Sequence, residues 1–141
     1  PAPGVLTRRA PTPVEARDIA LGLRVAKTTS SLEIGQTVAV KDGVILAVEA
    51  FEGTDAAIRR AGTLGGPGIV VVKVAKLGHD VRFDIPVIGP RTLDGLRKVK
   101  AAVLAVEAGR TILLERERLI RAADDSGISL EAVDFGHARF G

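Results

Sequence analysis

Apolar positions along the chain change period several times, and each change marks an element. Ala16, Ile19, Ala20, Leu23 and Ala26 recur at helical spacing. Just ahead of them, Thr12-Pro13-Val14-Glu15 supplies an N-cap, a proline at the first helical position and an acid three residues after the cap. Those features satisfy the amides that a helix start leaves without partners. The pattern predicts a helix that fades near Thr28-Thr29-Ser30-Ser31. Two apolar runs follow, Thr37 to Val40 and Val44 to Val48, joined through Asp42-Gly43. Asp-Gly adopts the positive φ of a tight hairpin turn, so the two runs are predicted to pair. The second run, Val44-Ile45-Leu46-Ala47-Val48, is apolar throughout, which predicts a central strand covered on both faces.

Further on, Gly53-Thr54-Asp55 opens a short helix through about Arg60, with Gly62 as its expected end. Gly65-Gly66-Pro67-Gly68 reads as a turn, because no Gly-Lys-Ser/Thr follows to make a phosphate-binding loop. Ile69-Val70-Val71-Val72 is another buried strand, followed by a polar stretch from Lys73 to Asp84 with little periodicity. Pro86 to Pro90 leads into a predicted helix over Thr92–Lys100. A strand over Val103–Val106, a helix over Glu115–Ala123 and a strand over Ser129–Val133 complete the series, and residues 134–141 read as a flexible tail. Strands alternating with helices predict a single α/β domain, with a mixed, partly parallel sheet flanked by helices.

Composition narrows the chemistry. With 46% hydrophobic and 26% charged residues, the 141-residue chain is globular and forms one core. It has no cysteine, which excludes disulfides, zinc-thiolate centres and thiol catalysis. Any metal must sit among oxygens, with or without a histidine, which favours magnesium or manganese. The net charge is +3, but with four Phe and no Tyr or Trp the stacking platforms of a single-strand nucleic-acid binder are missing, so no nucleic-acid partner is expected. No run approaches the roughly 20 apolar residues of a membrane helix, and no signal peptide is evident, so a cytoplasmic location is expected.

Three polar clusters stand out. Glu49-Ala50-Phe51-Glu52-Gly53-Thr54-Asp55 places carboxylates where an apolar strand ends and a helix begins, the edge at which open α/β sheets bind ligands. Carboxylates at this spacing could reach one hard cation or could cap the helix. The second cluster, Lys73 to Asp84, follows a buried strand and lies at the same edge if the two strands run in the same direction. Lys73 and Lys76 are suited to phosphate oxygens, and Asp80 and Asp84 to a metal or an attacking water. His79 reads as a surface histidine. The third comprises Arg91-Thr92, at a helix start where amides favour an anion, and Arg110-Thr111, with Glu107 just before it. No Ser-His-Asp arrangement or metal-histidine spacing is present, so hydrolytic chemistry would depend on carboxylates and a metal.

Taken together, three separated segments resemble a known family. They are Val48-Glu49-Ala50-Phe51-Glu52-Gly53-Thr54-Asp55-Ala56, the run from Val72 to Lys76 with its continuation Arg82-Phe83-Asp84-Ile85-Pro86-Val87-Ile88-Gly89-Pro90, and Ala105-Val106-Glu107-Ala108-Gly109-Arg110-Thr111. They are similar to the UDP-2,3-diacylglucosamine pyrophosphatases of the alternative bacterial lipid A route, over about Gly4 to Val133. The resemblance implies magnesium-assisted attack of water on the β-phosphate, giving UMP and 2,3-diacylglucosamine 1-phosphate. It implies that residues 1–141 correspond to the C-terminal catalytic and substrate domain, with a Rossmann-like N-terminal domain upstream and substrate between the two. It places the essential aspartate at Asp84, as metal ligand or water-orienting base. Around it, Asp80 is a second catalytic candidate and Glu52 and Asp55 are metal-ligand candidates. Lys73, Lys76, Arg91, Arg110 and Thr54 are candidates for contact with the diphosphate. Where the family usually reads Lys-Pro-Gly-Gln-Asp, this chain has Lys76-Leu77-Gly78-His79-Asp80. A non-catalytic binding or assembly module and a hydrolase of another nucleotide diphosphate remain alternatives. Homodimerisation and a peripheral contact with the inner membrane are left open by the sequence.

Overall fold

The computed structural model describes residues 1–77 and 83–134. In chain order they form β1 (Gly4–Val5), α1 (Pro13–Ser31), β2 (Thr37–Lys41), β3 (Val44–Val48), α2 (Thr54–Gly65), β4 (Val70–Lys73) and β5 (Lys76–Leu77). These are followed by β6 (Phe83–Asp84), β7 (Val87–Ile88), α3 (Pro90–Lys98), β8 (Val103–Glu107), β9 (Ile112–Leu113), α4 (Arg116–Asp125) and β10 (Ser129–Val133). The main sheet has six strands in the order β1-β10-β8-β4-β2-β3. β4, β8 and β10 are parallel, whereas β2 is antiparallel to both β3 and β4. The expected mixed, partly parallel α/β sheet is therefore present. No described helix is long and apolar enough to cross a membrane.

Alternation along the strands sends side chains into two cores. On one face, Ile19, Leu23 and Ala26 of α1 cover Val38, Val40, Val70, Val72, Val103 and Ala105. On the other, α2, α3 and α4 contribute Ile58, Leu93, Leu96 and Leu119 against Val71, Leu104, Val106 and Leu130. Helix α1 starts as its sequence predicts: Glu15 N–H donates to Thr12 Oγ1 and Thr12 N–H to Glu15 Oε1, both at 3.1 Å. Its contact with the sheet is close at Gly22, where a Cβ would lie 2.6 Å from Val72 Cγ2.

Two expectations are corrected. The Val44–Val48 run is the edge strand β3 rather than a central strand, and of its five residues only Ala47 is buried. The central strands β2, β4 and β8 are the ones covered on both faces. A run of apolar residues does not reveal which strand acquires a second neighbour. Gly62 does not end α2, which continues to Gly65. It instead allows the helix to meet the α3 terminus, because a Cβ there would lie 2.5 Å from Val99 Cγ1. The hairpin is as predicted, with positive φ at Asp42 (49°) and Gly43 (79°). The short strands β1, β7 and β9 and the β5–β6 pair lie where no periodicity announced a strand. Of the expected tail, 135–141 lies outside the described residues.

The hairpin turn is anchored by a buried acid. Asp18 of α1, only 3% exposed, accepts from Asp42 N–H at 2.9 Å and Gly43 N–H at 2.8 Å. Asp18→Ala should therefore lower stability by about 1–3 kcal/mol, read as a lower urea midpoint at unchanged slope. Glu131 of β10 supplies a second test, because burial pushes its carboxyl above the usual carboxylate range. The native state then holds a proton that the unfolded chain has already released. Its contribution favours the fold at low pH and is lost as pH rises through the native pKa. Glu131→Gln should thus be more stable than the parent near pH ~7 and lose that advantage near pH ~4, measured by thermal midpoints at both values.

Candidate functional site

Strand direction gathers the polar ends at one edge. Because β2 is antiparallel to both β3 and β4, those two run the same way, and β8 runs parallel to β4. The strand ends at Glu49, Lys73 and Glu107 therefore face the same side of the domain. Thr37, the first residue of β2, is the register partner of Lys73. Helices α2 and α3 both begin at this edge. The first cluster and Lys73, which opens the second, share it, as expected if their strands run together.

At the centre lies the hydroxyl of Thr54. Lys73 Nζ donates to Thr54 Oγ1 at 2.8 Å, and Thr54 Oγ1 donates to Glu49 Oε2 at 3.1 Å. Since the Thr54 proton is directed to the carboxylate, the 3.3 Å contact with Thr37 Oγ1 makes Thr37 the donor there. Glu49 Oε1 accepts from Gln36 N–H at 3.1 Å. Gly35 permits this approach, because a Cβ on it would overlap the Glu49 carbonyl oxygen. Among the described residues Lys73 has no carboxylate partner. Its hydrogen bond to a neutral hydroxyl leaves its positive charge to act on a ligand.

Beside this hub is a cavity of about 390 Å³ lined by Glu52, Thr54, Asp55, Lys73, Arg91 and Thr92, among others. It sits between two helix N-termini, with Gly53 capping α2 and Gly89 capping α3, and neither has a side-chain cap bond. Uncapped amides, the helix dipoles and an ammonium group make this concavity suited to a phosphorylated ligand. Arg91 Nε pairs with Asp55 Oδ2 at 2.9 Å, though its side chain is 90% exposed. Glu52 accepts from Arg60 at 3.0 Å.

A second polar centre lies under the end of β8. The Glu107 side chain is 3% exposed, and both of its oxygens accept from Lys27 Nζ of α1, at 2.8 and 2.9 Å. Oε1 also accepts from Ala75 N–H at 3.0 Å, and Arg110 Nη1 lies 3.5 Å from Oε2. Thr111 Oγ1 donates to the Glu107 carbonyl at 2.8 Å.

The structure thus brings Lys73, Thr54, Arg91, Glu52 and Asp55 around one cavity. Arg110 is held by Glu107 at the adjacent strand end. Lys76 pairs with Glu33 at 3.2 Å, and its backbone is the register partner of Asp84 in the β5–β6 pair. Asp80, His79 and the Asp84 side chain lie outside the described residues. Among those described, no group of three His, Cys, Asp or Glu gathers to hold a metal. Glu49 and Glu107 were not among the residues singled out for site roles, and neither was Lys27. The available signal was an acid directly after an apolar strand, since a carboxylate there must be solvated or paired.

The fold is that of an α/β domain with a polar cavity at its strand ends, and sequence comparison assigns its family. Residues 2–131 match the family model described as the LpxI C-terminal domain, and the chain belongs to that family. The UDP-2,3-diacylglucosamine pyrophosphatase LpxI of Caulobacter vibrioides is 38% identical over 141 residues, covering 93% of this chain and 50% of that protein. The chain therefore spans about half the length of the curated relative it matches.

Thr54→Val tests the hub by removing the hydroxyl that Lys73, Thr37 and Glu49 share. The urea midpoint should fall by an amount equivalent to about 1–3 kcal/mol. An unchanged midpoint would mean that water replaces the hydroxyl and that the hub holds nothing together.

Proposed function

We propose that this chain is the catalytic and substrate domain of a UDP-2,3-diacylglucosamine pyrophosphatase, and that a further domain joined upstream completes the site. The observation that carries this reading is the convergence on one cavity of the Lys73 ammonium, which has no carboxylate partner among the described residues, and two helix N-termini without side-chain caps. That arrangement suits a diphosphate, whose charge grows on the leaving oxygen as the anhydride bond breaks. The family match and the Caulobacter relative supply the substrate.

In this mechanism an oxygen of water bonds to the β-phosphorus while the bond to the bridging oxygen breaks. UMP leaves with that oxygen, and 2,3-diacylglucosamine 1-phosphate remains. Asp84 orients the attacking water, with Asp80 assisting. Lys73, Thr54 and the starts of α2 and α3 hold the diphosphate, and Arg91, Arg110 and Lys76 neutralise charge around it. Hard oxygen donors at this edge fit magnesium, or manganese in its place, bound by one or two carboxylates and completed by phosphate and water. Asp84 is the proposed protein ligand, joined by Asp55 or Glu52 on release from its arginine. The ion would polarise the phosphoryl oxygens.

Two further features favour a lipid-bearing substrate and an upstream domain. Val87 and Ile112 are register partners in the parallel β7–β9 ribbon, and both are about half exposed. Ile85 and Leu114, which flank the ribbon at its two ends, are exposed to a similar degree. Exposed apolar side chains of this kind would suit the acyl chains of the substrate. The Pro1 carbonyl accepts from Gly109 N–H at 2.8 Å, so a domain joined ahead of Pro1 would enter at this same edge. A cytoplasmic enzyme in peripheral contact with the inner membrane fits such a substrate.

The test is UMP formation from UDP-2,3-diacylglucosamine and magnesium by the full-length protein that carries this domain. Asp84→Ala should abolish turnover with folding intact, and Lys73→Met should lower kcat/KM by about 100-fold or more. Residues 1–141 alone should not turn substrate over. Full activity in Asp84→Ala would remove that residue from the mechanism, and no activity in the unmodified protein would favour a binding module or another nucleotide diphosphate.

A further inference from the structure

We propose that Glu107 is a positioning residue for this reaction. Its buried carboxylate holds the backbone that leads from β4 into the β5–β6 pair, and so sets Lys76 against Asp84. The inference rests on the functional reading above and adds to it a residue outside the diphosphate pocket.

Strand β4 ends at Lys73 and β5 begins at Lys76, so Val74 and Ala75 form the whole link between a phosphate-binding residue and the pair that bears Asp84. Both are buried, and neither belongs to a strand ladder. Buried amides without ladder partners need another acceptor. Val74 N–H donates to the Gln36 carbonyl at 3.0 Å, and Gln36 Nε2 donates back to the Val74 carbonyl at 3.0 Å. Ala75 N–H donates to Glu107 Oε1 at 3.0 Å. Gln36 is bonded in turn to Glu49, which continues to Thr54 and Lys73. The link is therefore held from one side by the Thr54 hub and from the other by Glu107.

Of the three partners of the Glu107 side chain, Arg110 is half exposed and its ion pair is lost in both double variants below, whereas the roles toward Lys27 and Ala75 can be separated chemically. Lys27 requires its charge, because a buried ammonium needs a compensating anion. Ala75 requires only an acceptor at that point in space. Buried ion pairs contribute little net stability against apolar replacements of similar shape. What such a replacement cannot supply is the acceptor that fixes Ala75. Displacement of a reacting group by about 1 Å can cost about 100-fold in rate, and two residues of backbone separate Lys73 from the strand opposite Asp84.

The experiment compares two double variants in the full-length protein. Lys27→Met with Glu107→Gln removes the ion pair and keeps an acceptor for Ala75. Lys27→Met with Glu107→Met removes both and leaves no unpaired charge from the pair. The second should show a kcat about 100-fold below the first, with similar KM and thermal midpoint, and faster amide exchange at Ala75. Equal kcat in the two, or a kcat loss matched by an equal loss of folded protein, would overturn the positioning role. Should the Met–Met variant fail to fold, Glu107→Asp withdraws the acceptor by one methylene while keeping its charge. Its kcat should fall by about tenfold or more at unchanged UMP affinity, and an unchanged kcat would overturn the proposal. Absence of hydrolysis by the unmodified protein would instead overturn the functional reading, and this role with it.

Discussion

Parallel pairing of β4 with β8 is the constraint on which the rest of the structure depends. Val70 to Lys73 lie in register with Val103 to Val106, so the two strands must end on the same side. The chain between them has to return across the sheet, and α3 makes that crossing. A parallel pair must also be covered on both faces. Helix α1 supplies one cover and α2, α3 and α4 the other. Once these directions are set, the helices that follow β3 and β7 start beside the strand ends, and their N-termini face one another across a single cavity.

The strand ends carry charge into places that water reaches poorly, and the domain resolves this in two ways. Glu107, deeply buried, is compensated by Lys27 and by the Ala75 amide. Lys73 is compensated only by the neutral hydroxyl of Thr54 among the described residues. One charge is satisfied within the fold, while the other remains available to an anion. The two centres are joined through Gln36, Val74 and Ala75, so Lys73 and the strand paired with Asp84 share one backbone link.

Edge geometry also separates two kinds of surface. The amide-lined cavity suits phosphates, whereas the exposed faces of Val87 and Ile112 suit hydrocarbon. In the proposed reaction both are needed at the same time, since the diphosphate is cleaved while the acyl chains remain attached.

Much of this could be read in the chain itself. The Thr12–Glu15 capping box and the Asp42-Gly43 turn depend on neighbours within a few residues, and each formed where its sequence pointed. Thr54, Lys73, Arg91, Glu52 and Asp55 were legible as candidates because strand ends in α/β sheets bind ligands, and they line one cavity. Sequence could not decide that Val44–Val48 takes an edge, because strand order depends on partners distant along the chain. Nor could it show that Gly62 serves a helix contact with Val99 rather than a helix end. Glu107 finding Lys27, 80 residues away, was beyond it for the same reason. Local bonding follows from residue type and spacing. Which buried charge meets which partner is decided only when distant elements pack and exclude water.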